Sequence, residues 1–235
     1  MKPATLRRIH RWLGLVFSLS ILMSTLSGVL HTVMTRTQQP PPPALPSGGG
    51  LQPESITCSV SEALSKLGAD RGAVKAVNVR GINGAPWYQI YTSKGAPIYL
   101  SAKDGREDAS QDELYAKEIA SAFLGGAELR KTDFLTSFNS EYINIFRILP
   151  VHRFDADDGK GTRVYVSTAT GSVTRHTDNR RQFEANVFSN FHKLSFIPDK
   201  NVRDWVLVGL TGAAAVVAII GIALFFVTRP RRSKE

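Results

Sequence analysis

Two long apolar segments near the two ends of the chain dominate its pattern of hydrophobic and polar positions. Residues 12–34 and 205–227 each comprise 23 positions without Asp, Glu, Lys or Arg. An α-helix rises about 1.5 Å per residue, so a helix of this length crosses roughly 30 Å of hydrocarbon. Both segments are therefore predicted to span a membrane.

Basic residues flank each predicted span on the side that faces the chain terminus. They are Lys2, Arg7, Arg8 and Arg11 before the first span, and Arg229, Arg231, Arg232 and Lys234 after the second. The positive-inside rule then places both termini in the cytoplasm and the intervening segment outside. A signal peptide is the competing interpretation of the N-terminus, but the apolar stretch is too long and no small-residue cleavage site follows it. We expect an uncleaved anchor.

A Pro- and Gly-rich segment follows the first span. Residues 38–50 read QQPPPPALPSGGG, a stiff polyproline piece followed by a flexible one. Polyproline can also be a ligand for proline-binding domains, but a spacer that holds a domain away from the bilayer is the interpretation we favour here.

Between the tether and the second span, shorter periodic segments predict an α+β region. A helix over 55–67 precedes strands over 74–80, 87–92 and 98–102. A second helix, over 112–124, precedes strands over 134–137, 142–147, 152–155 and 163–167. The order of one helix followed by strands thus occurs twice.

A local sequence match supports an internal repeat. Residues 99–101 read Tyr-Leu-Ser and are followed by Gly105, whereas residues 165–167 read Tyr-Val-Ser and are followed by Gly171, at a spacing of 66. We interpret the region as two copies of a helix packed on an antiparallel sheet, with chance similarity of two strand-and-turn segments as the alternative. The predicted fold class is an α+β membrane protein.

Charge and cysteine content exclude several classes of function. Much of the net charge of +9 lies at the two ends, where it sets topology and attracts anionic lipid, so no nucleic-acid partner is expected. Cys58 is the only cysteine, which leaves no intrachain disulfide, no paired-cysteine haem attachment and no thiolate cluster. Dinucleotide, phosphate-loop, hydrolase and zinc-protease motifs are also absent, so any electrons must come from outside the chain.

The histidines suggest a cofactor. His10 and His31 are three heptads apart on the first apolar segment, and the positions between them at heptad spacing are Gly14, Phe17, Ile21, Ser24 and Gly28. Imidazoles near both ends of a membrane helix, with small residues along the same seam, allow a flat cofactor to lie against the helix. This pattern points to a noncovalently held membrane haem b.

Several motifs, taken in order along the chain, resemble the PepSY-associated transmembrane family. They are LRRIHRWLGL at 6–15, LSGVLH at 26–31, LPVHRF at 149–154, TRVYV at 162–166, TG at 170–171 and FH at 191–192. Larger members include haem-containing inner-membrane reductases for ferric siderophores. The resemblance implies two periplasmic PepSY-like units and a ferric reductase role in the bacterial inner membrane. Because this chain has only two spans, we expect a homodimer whose four membrane helices enclose the haem.

His31 and His192 are the predicted axial ligands of the haem iron. His31 lies near the outer end of the first span, close to Ser24, Ser27 and Gly28, which would let the ring of a cofactor approach. His192 belongs to an amphipathic segment over 182–197 that is expected to lie in the outer interface. The ligand pair can form within one protomer or between two, and an interfacial His31 or a surface His192 is the alternative.

The other candidates carry less specific signals. A haem at His10 would need a partner from another protomer, and we favour a role for His10 in the basic topogenic cluster. His152, Asp155 and Asp157 could attract ferric iron, which prefers hard oxygen ligands, but 155–159 reads first as the turn of a hairpin. No catalytic residue is assigned.

The predicted order along the chain is as follows: cytoplasmic N-terminus 1–11, span 12–34, tether 35–53, first unit 54–108, second unit 109–180, interfacial segment 181–200, span 205–228 and cytoplasmic tail 229–235. The expected function is electron transfer from membrane quinol or a cytoplasmic reductase to ferric iron, free or chelated. A membrane-anchored module that binds a protein or peptide, or a haem-binding accessory subunit, is the alternative.

Overall fold

The computed structural model describes residues 3–37, 48–146 and 148–228, and the chain divides into two compact units. The helical unit comprises residues 1–38 and 180–235, and the α+β unit comprises residues 39–179. The polyproline part of the predicted tether, residues 38–47, and the predicted tail 229–235 lie outside the described residues.

Two long helices form most of the helical unit. Helix α1 (Pro3–Thr35) and helix α5 (Lys200–Val227) contain the two predicted spans and extend beyond them, so that residues 3–11 continue α1. Both helices are long and apolar enough to cross a membrane. Their apolar side chains are largely exposed, as at Leu19 and Phe225, and a core helix of a water-soluble protein would bury these side chains.

In its described residues, the α+β unit contains two α-helices and two antiparallel sheets. In chain order they are α2 (Val60–Ser65), β1 (Val74–Ile82), β2 (Ala85–Thr92), β3 (Ile98–Ser101), α3 (Gln111–Phe123), β4 (Leu129–Leu135), β5 (Val151–Ala156), β6 (Arg163–Ser167) and β7 (Ser172–Thr177). The first sheet has the order β1-β2-β3 and the second the order β4-β5-β6-β7. Each of the two helices is followed by the strands of one sheet, which is the order that the sequence predicted.

Helix α3 joins the two sheets through one hydrophobic core. Tyr115 and Ile119 of α3 pack with Trp87 of the first sheet and with Phe154 and Val164 of the second. The opposite face of the first sheet packs on α2, and the opposite face of the second is covered by the loop that contains Tyr142. The predicted units 54–108 and 109–180 therefore share one hydrophobic core. Alternate residues of a strand point to opposite faces of its sheet, so each sheet can contribute one face to this core.

The two repeat motifs adopt the same local structure. Gly105 donates its backbone N–H to the carbonyl oxygen of Ser101, and Gly171 donates to that of Ser167, at 2.7 Å and 2.9 Å. Both glycines have positive φ, 73° and 66°, which a residue with a side chain rarely adopts. The sequence match at a spacing of 66 thus corresponds to two equivalent turns.

Some predicted elements differ from the structure. The strand predicted over 142–147 is absent from the part of that range that is described, because Asn139 accepts backbone hydrogen bonds from Glu141 and Tyr142 and holds a loop. The side chain of Tyr142 then turns into the core, and a 3-10 turn follows at Asn144–Phe146. Strand β4 begins earlier than predicted, and β7 was not predicted.

The predicted interfacial helix over 182–197 is shorter and starts earlier. Helix α4 (Asn179–Val187) continues as a π-helical turn, Phe188–His192. It ends there because Leu194 takes a positive φ of 52° and its side chain is buried. Residues 193–197 lie outside the helix, so the predicted interfacial segment over 181–200 contains a helix followed by a loop.

We expect Ile119→Ala to destabilise the α+β unit by about 2–5 kcal/mol, because it removes buried methyl groups from the core shared by the two sheets. Ile119 is fully buried, whereas Ile145 is 67% exposed, so Ile145→Ala is the matched control. Urea unfolding of the full-length protein in detergent, followed by aromatic fluorescence, measures the difference. Equal unfolding free energies for the two variants would contradict the shared core.

Candidate functional site

The site begins with a hydrogen bond between α1 and α4. Nδ1 of His31 lies 2.5 Å from Oε1 of Glu184. A carboxylate accepts hydrogen bonds, so Nδ1 of the neutral ring carries the proton and Nε2 keeps its lone pair. The side chain of Glu184 is 5% exposed and that of His31 is 44% exposed. Glu184 was not predicted as a site residue.

His192 also contacts α1, at Ser27 and Ser24, which precede His31 by about one and about two helical turns. Its Nδ1 lies 3.2 Å from the carbonyl oxygen of Ser24 and 3.4 Å from the hydroxyl oxygens of Ser24 and Ser27. The carbonyl oxygen lies at the shortest of these distances and only accepts, which matches the tautomer in which Nδ1 donates and Nε2 keeps its lone pair. Within the described residues, Nε2 of neither His31 nor His192 has a hydrogen-bond partner.

These contacts arise because residues four positions apart share one helix face. Glu184, Phe188 and His192 lie along the face of α4 and its π-helical turn that meets His31, Ser27 and Ser24 of α1. The π-helical turn carries Phe188 and His192; such turns are rare and often occur at functional sites.

The ring of Phe188 stacks on both imidazoles. Its centroid lies 4.3 Å from that of His31 and 4.6 Å from that of His192, with interplanar angles of 27° and 14°. The two predicted ligands of one protomer therefore lie on opposite faces of Phe188. The structure brings them to the same neighbourhood but places an aromatic ring between them.

A cavity of about 390 Å³ opens beside His192 within the helical unit. Its walls are mainly apolar and come from α1, the π-helical turn and α5, including Leu19, Ser24, Leu207 and Thr211. A volume of this size is in the range of small-ligand sites. Apolar walls with one imidazole are suited to part of a flat, largely apolar group.

The small residues of the predicted seam have different surroundings. Ser27 is 3% exposed and donates to the carbonyl oxygen of Ser24. Nothing lies within 4 Å of the position that a Cβ would take at Gly28, so this part of the α1 surface is open. Ser24 and Ser27 thus contact His192, one of the predicted haem ligands, and the surface of α1 at Gly28 is unobstructed.

His10 lies away from the other histidines, near the opposite end of α1. Its ring packs against Gly221 of α5, where a Cβ would approach Cε1 of His10 to 3.1 Å. Its Nδ1 is buried without a hydrogen-bond partner among the described residues. Because α5 presents a glycine here, the two helices approach closely, and no histidine of α5 faces His10.

His152, Asp155 and Asp157 do not form one site. His152 and Asp155 are three residues apart on β5, so their side chains point to opposite faces of the sheet. Asp155 is bound by Arg153 and Thr132. In the described part of the chain, no group of three His, Cys, Asp or Glu side chains could hold a metal ion. The predicted substrate-iron site is not assembled there.

His152 instead belongs to a buried polar network of the α+β unit. Its Nε2 donates to Oδ2 of Asp112 at 2.6 Å, and the hydroxyl of Tyr99 donates to Oδ1 of Asp112 at 2.8 Å. Gln89 donates to the oxygen of Tyr99 at 2.7 Å and to the carbonyl oxygen of Thr168 at 3.0 Å. The network links α3 to strands of both sheets.

The network changes the acidity of its members. Burial alone would raise the pKa of Asp112, but hydrogen bonds from His152, Thr168 and Tyr99 outweigh burial and hold that pKa below its ordinary value. Burial raises the pKa of Tyr99, and the neighbouring Asp112 carboxylate adds to this rise. Asp112 therefore stays ionised and the phenol stays protonated near neutral pH.

Taken singly, His31 and His192 each present the nitrogen atoms that a haem ligand needs. Histidines that bind metals commonly donate the other ring N–H to a carboxylate, a carbonyl or water, which fixes the tautomer. His31 has a carboxylate acceptor and His192 a carbonyl acceptor, and each keeps Nε2 for a metal. The position of Phe188 does not fit a haem clasped between these two histidines of one protomer.

Comparison of the chain with protein-family models, with curated proteins and with solved structures gave no match.

We expect Asp112→Asn to reduce the free energy of unfolding by about 1–3 kcal/mol at pH 7, because it removes charged hydrogen bonds of a buried group. The folded-state pKa of Asp112 is lowered, so its contribution is present above the unfolded-state pKa of about 3.9 and is lost as pH falls through the folded-state value.

Urea unfolding between about pH 7 and pH 2 tests this sign: stability should decline more steeply in wild type than in Asp112→Asn below about pH 4. Asp70→Asn, which changes an exposed carboxylate of the same unit, is the control. Parallel pH profiles of wild type and Asp112→Asn would contradict the assignment.

Proposed function

We propose that this protein is a membrane-bound b-type haem protein that passes electrons to ferric iron. The observation that carries the proposal is that His31 of α1 and His192 of the π-helical turn lie close together, each with Nδ1 next to an acceptor and Nε2 available. Ionisable groups within or beside membrane spans are costly and usually functional. The cofactor would supply a one-electron carrier that cycles between its ferric and ferrous states.

His31 and His192 are the residues that would hold the haem iron. The apolar cavity beside His192 offers space for a porphyrin edge, and the open surface at Gly28 permits close approach to α1. Ser24 and Ser27 orient the His192 ring through its Nδ1. His10 is retained as a ligand of a second haem only if another protomer supplies its partner.

We further propose that the ligand pair forms between two protomers of a homodimer. The Phe188 ring stacks on both imidazoles of one chain, so these two rings do not face an open slot between them. His31 of one copy and His192 of a second copy would avoid this obstacle. Two helices from each copy would provide the four-helix enclosure that one copy lacks.

The proposed reaction balances with a quinol as the donor. One membrane quinol loses two electrons and two protons, and two ferric ions each gain one electron to become ferrous. A cytoplasmic reductase is the other class of donor. Ferrous iron is then released from ligands that prefer the ferric ion. With both termini in the cytoplasm, as the basic ends favour, the α+β unit would lie in the periplasm of the bacterial inner membrane.

The resemblance to the PepSY-associated transmembrane family supports this assignment and also a second one. The α+β unit has a cavity of about 560 Å³ lined by both acidic and basic side chains, among them Lys94, Glu113 and Lys131. A cavity of this kind favours an anchored module that binds a peptide or protein partner. In that case the membrane histidines would carry no haem.

We expect protein expressed with sufficient haem to show a Soret band and a reducible alpha band typical of low-spin haem with two imidazole ligands. His31→Ala and His192→Ala should each abolish or alter the spectrum, because each removes one predicted ligand. Optical spectra of the purified variants in detergent test this, with His176→Ala, in the α+β unit, as the control. A wild-type protein that binds no haem would refute the proposed reductase function and favour the binding module.

Co-expression of a His31→Ala copy with a His192→Ala copy, carrying different tags, tests the arrangement between protomers. The mixed dimer should bind about half the haem of wild type, because it retains one intact His31 and His192 pair across the interface. Each variant alone should lack that haem. If the wild type binds haem and the mixed dimer does not, the site shared between protomers is refuted, whereas the proposal of a haem protein is not.

Membrane vesicles with and without the protein separate a reductase from an accessory subunit. Vesicles that contain the wild-type protein should reduce ferric citrate faster with a quinol donor, because the haem connects the donor to the outer face. A haem spectrum with no increase in the rate of ferric reduction would show an accessory subunit. His31→Ala is the matched control.

A further inference from the structure

Glu184 is a buried carboxylate in a unit composed mostly of apolar helices. Its side chain is 5% exposed, and one of its oxygens lies 2.5 Å from Nδ1 of His31. Transfer of a carboxylate from water to an apolar environment is expensive unless hydrogen bonds and charges compensate it. An apolar side chain on this helix face would avoid that cost, so packing alone does not explain a glutamate here.

The contact with His31 has a specific chemical effect. A carboxylate that accepts from Nδ1 fixes which nitrogen carries the proton and fixes the plane of the ring, which Phe188 supports from one face. It also makes the imidazole a stronger electron donor through Nε2. His192 differs, because its Nδ1 faces the neutral oxygens of Ser24 and Ser27.

We propose that Glu184 is a positioning residue that holds His31 in the ligand tautomer and lowers the midpoint potential of the haem. The inference rests on the proposed haem function. A more electron-rich ligand and a nearby negative charge both stabilise ferric over ferrous haem. A lower potential makes the haem a stronger reductant towards ferric iron, and Glu184 thereby assists the transfer without touching the iron.

Two substitutions separate the charge of Glu184 from its hydrogen bond. Glu184→Gln keeps an acceptor oxygen for Nδ1–H but removes the charge, so we expect haem to remain and its midpoint potential to shift to a more positive value. Glu184→Ala removes both, and we expect a 10–100-fold loss of haem affinity. Glu54→Gln, which changes an exposed carboxylate in the α+β unit, should alter neither quantity.

The measurements are redox titration with optical detection and haem titration of the purified apoprotein in detergent, with circular dichroism to verify folding. A Glu184→Gln protein with the wild-type potential would overturn the inference, as would a folded Glu184→Ala protein with wild-type haem affinity. If the wild type binds haem, either of these results refutes only the role of Glu184 and not the proposed haem function. A wild type that binds no haem would instead refute the proposed function itself.

Discussion

The pairing of the Glu184 carboxylate with the His31 imidazole sets the arrangement of the helical unit around it. A buried carboxylate needs hydrogen bonds or opposite charges to offset its desolvation, and the contact with His31 supplies one such bond between α4 and α1. The helical repeat then places Phe188 and His192 on the same face, opposite the serines of α1. This contact and the helical repeat together bring a stacked aromatic ring and a second imidazole to the same side of α1.

The α+β unit contains a second carboxylate and imidazole pair with a different outcome. His152 uses Nε2 to bind Asp112, and its side chain is 5% exposed, so its remaining nitrogen is enclosed. His31 uses Nδ1 and remains 44% exposed. The same two chemical groups therefore serve as an internal brace between α3 and a sheet in one unit and as a candidate ligand in the other.

Periodicity was sufficient to predict the long helices and most strands, because burial in lipid or in a sheet face imposes a regular pattern. Periodicity failed at Tyr142, where the alternating pattern is typical of a strand. The backbone N–H groups of Glu141 and Tyr142 instead donate to the side chain of Asn139 and form a loop. Periodicity also failed at Glu184. An amphipathic pattern directs attention to apolar positions such as Phe183, which is 62% exposed, and gives no reason to place a carboxylate inward.

The positions of His31 and His192 in and beside the apolar segment predicted that they lie at one depth, and the structure brings both to Phe188, but the aromatic ring between them was not predicted. The intervening Phe188 depends on the π-helical turn, which has no clear sequence signature. Likewise, His152 and Asp155 are close in sequence, and only the alternation of a strand separates them. Short spacing thus raised a shared site as the less favoured interpretation, and the strand directs the two side chains to opposite faces of the sheet.

Helix α3 makes the two sheets of the α+β unit depend on each other. Its buried side chains pack with residues of both sheets in one core. A fragment that carried only one of the sheets would therefore leave apolar side chains of that core exposed to water. The two halves of this unit are thus expected to unfold together rather than one at a time.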